Sequence, residues 1–145
     1  MKPRTIYTLG TSTRSIDDLL EIITEYGIRA VADVRRFPSS TRYPHFGRQN
    51  LETVMKERGL AYYWLGDLLG GYRKGGYTAY QQERSYLRGL EELESIAKKM
   101  RTALMCAERF PWKCHRLQIA GSLLERGWDV VHIIDKDRTW QPGRH

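Results

Sequence analysis

The sequence predicts an α/β fold: a single compact domain on a mainly parallel sheet of about five strands, with helices on both faces. Three observations predict it. Short apolar runs alternate with amphipathic stretches of helical period along most of the chain. Several of those runs end in polar loops rich in arginine or glycine, which is where open α/β sheets place ligand sites. The length, 145 residues, suits one hydrophobic core.

Each element has its own local reason. Residues 4–9 read as the first strand and 10–13 as a turn. Ser15 is placed to cap a helix, with Asp18 three residues on, and Ile16, Leu19, Leu20 and Ile23 recur at helical spacing before Gly27. Residues 29–34 are the second strand, which completes a βαβ unit. Residues 35–49 have no period and hold Pro38, Pro44, Gly47 and the Ser39-Ser40-Thr41 cluster, so they read as a functional loop. Asn50 is expected to cap a helix carrying Leu51, Val54 and Met55 that ends at Gly59. The third strand follows over 60–65.

Residues 66–76 contain five glycines, a sign of tight turns or close approach to a ligand. The phosphate-binding pattern Gly-x-x-x-x-Gly-Lys-Ser/Thr is absent. Tyr86, Leu90, Leu93, Ala97 and Met100 mark one face of a helix from about Tyr80. The fourth strand begins at Thr102 and ends at Cys106. Leu117, Ala120, Leu123 and Leu124 give another amphipathic helix, stopped by Gly127, and 128–134 form the fifth strand. The domain is thus expected over residues 1–134, with a polar tail over 135–145.

No apolar run reaches membrane-spanning length, and the N-terminus lacks a signal-peptide apolar core. Two cysteines do not make a disulfide scaffold, so a cytoplasmic location without membrane partners is expected. The net charge of +7 is unevenly placed. Residues 29–48 carry Arg29, Arg35, Arg36, Arg42 and Arg48 against Asp33 alone. Residues 67–88 and 108–116 each carry +2, and the remainder sums to −1. Such loops at one sheet edge would form an electropositive face suited to an anion, a nucleotide or nucleic acid.

The chemistry concentrates between Cys106 and Arg116, which hold both cysteines, a histidine, a carboxylate and three cations. Cys106 is the candidate nucleophile at a strand end, and Glu108 with His115 is the candidate proton-transfer pair. Cys114, His115 and Arg116 fall at a helix N-terminus, where free amides favour an anion. Arg35, Arg36 and Arg116 offer forked donors for phosphate or carboxylate. Gly10, Ser12, Asp33, His45 and Cys114 complete the expected ligand-binding set. Tyr43, His45, Phe46, Tyr72 and Tyr77 lie among the basic loops, where rings can stack on bases. Neither cysteine is followed six residues later by arginine, which argues against a phosphocysteine mechanism. The spacing of Cys106, Cys114 and His115 does not suit structural zinc, so no metal site is expected, and the residues name no cofactor.

Asp33-Val34-Arg35-Arg36-Phe37-Pro38 with Ser40 and Pro44-His45-Phe46, then Cys106-Ala107-Glu108 with Cys114-His115-Arg116, carry a further likeness. On these motifs, and on the 65–71 glycine-rich segment, the chain resembles the family called domain of unknown function 488. The resemblance implies a compact α/β domain with the motifs gathered in one pocket, and no established reaction. In the family's first motif, typically Thr-Ile-Gly-His-Ser-Asn-Arg, this chain has Thr11 for the histidine and Thr13 for the asparagine. The expectation is therefore a polar Cys/Glu/His/Arg pocket for a phosphate-bearing ligand, nucleotide or nucleic acid, with hydrolytic or transfer chemistry as its candidate activity. A non-catalytic nucleic-acid-binding module and a thiol redox sensor using Cys106 and Cys114 are the alternatives.

Overall fold

The apolar runs become strands because their alternate residues face two different cores. Ile6, Ala32, Leu104, Cys106 and Val130 point to one face of the sheet. There they meet Tyr86, Leu90 and Leu93 from one helix and Ile119, Ala120 and Leu123 from another. The intervening Tyr7, Leu9, Val31, Ala103, Met105 and Ile133 point to the opposite face, against Leu19, Leu20, Ile23, Leu51 and Met55. The computed structural model describes residues 4–38 and 44–141. Ser39, Ser40, Thr41, Arg42, Tyr43 and both chain ends (1–3 and 142–145) lie outside the described residues.

In chain order the elements are β1 (Thr5–Gly10), α1 (Ile16–Glu25), β2 (Ala30–Asp33), α2 (Arg48–Glu57) and β3 (Ala61–Trp64). They continue with α3 (Gly66–Leu69), α4 (Tyr77–Tyr80), α5 (Arg84–Lys99), β4 (Thr102–Cys106), α6 (Arg116–Glu125), β5 (Asp129–Asp135) and β6 (Arg138–Trp140). The strand order is β3-β2-β4-β1-β5-β6. The first five strands run parallel, and β6 pairs antiparallel with β5. Parallel pairing brings the C-terminal ends of β1, β2 and β4 to one edge, so Gly10, Asp33 and Cys106 end side by side.

Ser15 caps α1 as expected, its Oγ accepting from the Asp18 amide. Four local expectations change. The N-cap of α2 is Gly47, and Asn50 lies inside the helix with its side-chain amide donating 2.7 Å to the His45 carbonyl. The glycine-rich stretch is partly helical, as α3, and the helix expected from about Tyr80 begins at Arg84, as α5, after the short α4 that ends at Tyr80. The stretch read as a polar tail from residue 135 carries β6, a short return strand that covers the β5 edge. Its three residues are exposed or half-buried, so they lack the apolar alternation that announces a strand. Among the described residues no helix is long and apolar enough to cross a membrane.

Candidate functional site

Two hydrogen bonds fasten the loop after β4 to the turn after β1. The Thr11 amide donates to the Cys106 carbonyl and the Ser12 amide to the Ala107 carbonyl, each at 2.8 Å. Ser12 adopts a left-handed φ of 51° to make this turn. Gly10 is glycine for a steric reason: a Cβ there would lie 1.9 Å from the Glu108 carbonyl oxygen. Gly10, Ser12 and Thr11 are therefore joints that hold the loop, and none lines the cavity beside it.

That cavity, of about 590 Å³, lies beyond the ends of β2 and β4. Arg35, Arg36, Cys106, Glu108, Cys114 and His115 line it, so six of the expected site residues share one space. Phe37, Gly71, Tyr72, Tyr77 and Lys113 line it too: Tyr72 and Tyr77 are among the rings expected to stack, whereas Phe37, Gly71 and Lys113 were absent from the expected set. The Gly70-Gly71 pair was the available signal: a Cβ on Gly71 would lie 3.2 Å from His115 Nδ1. Tyr72 sits at a left-handed φ of 59°, a strained conformation for a non-glycine residue. It is 87% exposed and Phe37 is 65% exposed, their rings 6.1 Å apart at the cavity mouth. Arg36 donates to the Tyr72 carbonyl at 2.7 Å and lies over the Phe37 ring.

Other expected residues are committed elsewhere. Arg35 holds the buried Asp33 in a fork, Nε to Oδ1 at 2.9 Å and Nη2 to Oδ2 at 2.7 Å, and gives Nη1 to the Phe46 carbonyl. The Tyr62 hydroxyl donates to the same carboxylate. Burial alone would lower the Arg35 guanidinium, but the Asp33 hydrogen bonds and charge hold it above its ordinary value. Asp33 and Arg35 thus act as a strut for the loop. His45 lies away from the cavity, Nε2 3.1 Å from the Arg14 carbonyl and its ring against Phe46. Glu108 is exposed and makes no ion pair with a described residue. No three described His, Cys, Asp or Glu side chains come together as a metal set.

The thiols occupy the inner wall. Both cysteines are free, and their Sγ atoms are 2.9 Å apart. Cys114 is half-buried, whereas Cys106 is 1% exposed. Cys114 immediately precedes the His115 N-cap of α6, and the first helical amide, that of Arg116, points at its sulfur at 3.5 Å. The first amide of the helix where an anion was expected thus meets the chain's own sulfur. His115 Nδ1 lies 3.5 Å from the same atom and Nε2 lies 3.3 Å from the Val34 carbonyl. The ring also rests on Tyr77, centroids 5.0 Å apart.

Arg116 was expected at the ligand, yet it is wholly buried behind the thiols. Its Nη1 lies 3.5 Å from Cys106 Sγ and its Nη2 donates to the Arg109 carbonyl at 2.7 Å. No described carboxylate pairs with it. A guanidinium stays protonated in proteins, and a buried cation without a counter-charge is strongly unfavourable. One negative charge on the sulfur pair resolves this. It belongs on Cys114, which the Cys106 thiol, His115 and the Arg116 amide hold well below the ordinary thiol range. Burial and the bond to Cys114 push Cys106 the other way, so it keeps the shared proton. The sequence favoured Cys106 as nucleophile, and this geometry favours Cys114.

Behind Arg116, buried His132 places Nδ1 2.5 Å from Thr8 Oγ1. Burial first, then the Arg116 charge, lower His132 to about 4. The folded chain therefore keeps this ring neutral where unfolded chains begin to protonate, near pH 6.5. Its contribution is complete above about pH 6.5 and is lost as pH falls towards 4, by about 3 kcal/mol at the limit. Urea unfolding at about pH 7 and pH 4.5 should show this loss, and His132→Gln should flatten it. An equally steep loss in His132→Gln would assign the acid sensitivity to other groups.

Residues 15–123 match the family model described as domain of unknown function DUF488. No curated protein and no solved structure matches the chain.

Proposed function

The chain belongs to the DUF488 family, whose description assigns no reaction, and we propose that it is a thiolate-dependent protein acting on a phosphate-bearing ligand. Cys114 is the nucleophile. It attacks an electrophilic carbon or sulfur of the bound ligand, and Glu108 or His115 gives the departing group its proton. Arg36 and Lys113 meet the phosphate at the cavity wall, and the Phe37 and Tyr72 rings offer stacking surfaces to a nucleotide base, free or in a strand. The observation that carries this reading is the wholly buried Arg116, whose Nη1 lies 3.5 Å from Cys106 Sγ in the sulfur pair with no described carboxylate paired to it.

Alkylation by iodoacetamide, read residue by residue by mass spectrometry, tests it. Cys114 should react at about pH 6 nearly as fast as at pH 8, because it is thiolate at both. Cys106 should react slowly throughout. A Cys114 rate that rises roughly tenfold per pH unit over this range, as for an ordinary thiol, would remove the proposal. Phosphate, a mononucleotide and a short oligonucleotide should each be tried as protectants, and Arg36→Ala or Lys113→Ala should weaken the protection. A steep salt dependence confined to the oligonucleotide favours the nucleic-acid form of the ligand.

A further inference from the structure

Building on Cys114 as a thiolate, we infer that Cys106 and Cys114 form a reversible dithiol–disulfide couple, and that its disulfide form oxidises thiols. The two sulfurs are unequal in the way such a couple needs. Both border the cavity, but Cys114 is half-buried and can be attacked or attack, whereas Cys106 is 1% exposed and has the Cys114 sulfur 2.9 Å away. At 2.9 Å they need roughly 1 Å of approach to reach a bond of about 2.05 Å. The intervening loop is anchored at its start by the Thr11 and Ser12 amides, and at Arg109 by the guanidinium of Arg116. Their proximity is therefore part of the fold.

The chemistry balances with a low-molecular disulfide as the co-reactant. Cys114 thiolate attacks one sulfur of the disulfide, its S–S bond breaks, and the first thiolate leaves. Cys106 then attacks the Cys114 sulfur and expels the second thiolate, which takes the Cys106 proton. The protein has lost two electrons and the disulfide has become two thiols. In reverse, a substrate thiol opens the protein disulfide at Cys114, a second substrate thiol displaces it, and the protein dithiol returns.

Arg116 sets the direction. In the dithiol its charge is met by the shared thiolate, and in the disulfide that charge is gone while the guanidinium stays buried. The contacts from His115 and the Arg116 amide likewise stabilise only the thiolate. A couple whose reduced form is selectively stabilised is an oxidant.

Equilibration of the full chain in mixtures of reduced and oxidised glutathione, followed by acid quenching, thiol tagging and intact-mass measurement, tests this. One intramolecular Cys106–Cys114 disulfide should form, only in strongly oxidising mixtures, and should vanish on return to reducing ones. Arg116→Met should move the equilibrium constant towards the disulfide by roughly tenfold or more, the scale of a lost charged hydrogen bond. If that variant does not fold, His115→Ala should move it the same way by less. Cys106→Ser should instead accumulate a mixed disulfide with glutathione on Cys114. Formation of only the mixed disulfide by the unaltered chain would overturn the inference. So would an equilibrium unmoved by both Arg116→Met and His115→Ala. Rapid Cys114 alkylation at low pH without an intramolecular disulfide leaves the nucleophile reading standing and removes this one.

Discussion

Asp33→Ala should destabilise the chain by about 3–5 kcal/mol, the usual cost of removing one partner from a buried ion pair. Asp33 is 0% exposed, and both its oxygens are held by Arg35, with Tyr62 and the Arg35 amide as further donors. Without it, the Arg35 guanidinium keeps the Phe46 carbonyl and no charge partner. Arg35 also anchors β3 through its carbonyl, which accepts from Trp64 Nε1 at 2.8 Å. Asp33→Asn should cost less, since one oxygen still accepts. Adding Arg35→Leu to Asp33→Ala should recover much of the loss by removing the stranded cation. Urea unfolding of the four proteins measures this. A loss below about 1 kcal/mol in Asp33→Ala would mean that Arg35 swings freely into the cavity. Arg35 would then be a ligand arm, as its sequence position suggests, and not a strut.

The difference between strut and arm marks the boundary of what local pattern can tell. Five strands were legible because their apolar runs carry a period, and parallel pairing then brought Asp33, Arg36, Cys106 and His115 to one edge. The sixth strand was not, because Arg138–Trp140 is short and polar. Arg116 was placed at the right helix terminus, yet on the wrong side of the thiols. Charged residues are seldom wholly buried, so its sequence position argues for solvent. Only the sulfur charge beside it, from residues 106 and 114, makes an inward guanidinium acceptable. The choice between the cysteines has the same origin. A strand end favours Cys106, whereas the helix amide, His115 and the Cys106 thiol all meet at Cys114. Phe37 and Lys113 were missed because an exposed ring or lysine in a loop has no period to distinguish it, whereas Tyr72 was legible as a ring among the basic loops.

Gly10→Ala should damage both the fold and the thiolate, through backbone alone. The added Cβ would lie 1.9 Å from the Glu108 oxygen, 2.5 Å from its carbonyl carbon and 2.9 Å from Arg109 Cα. These are main-chain atoms, so no rotamer change relieves the contact. The loop cannot simply retreat either, because the Thr11 and Ser12 amides hold it against the same turn. Overpacking of this kind costs about 1–3 kcal/mol, and more where the backbone is pinned. The displaced Arg109 carbonyl is also the acceptor that orients Arg116 towards Cys106. Its movement should weaken the counter-charge and raise the Cys114 thiol, lowering the alkylation rate at about pH 6 by roughly tenfold. Gly121→Ala is the control. It lies in α6 with nothing within 4 Å of the added Cβ, and helix propensity there favours alanine over glycine by up to about 1 kcal/mol. Thermal unfolding and Cys114 alkylation should therefore separate the two glycines, one falling in both and the other holding or gaining. Equal behaviour of the two variants would show that the loop after β4 is not what seats Arg116, and that the thiolate depends on α6 and His115 alone.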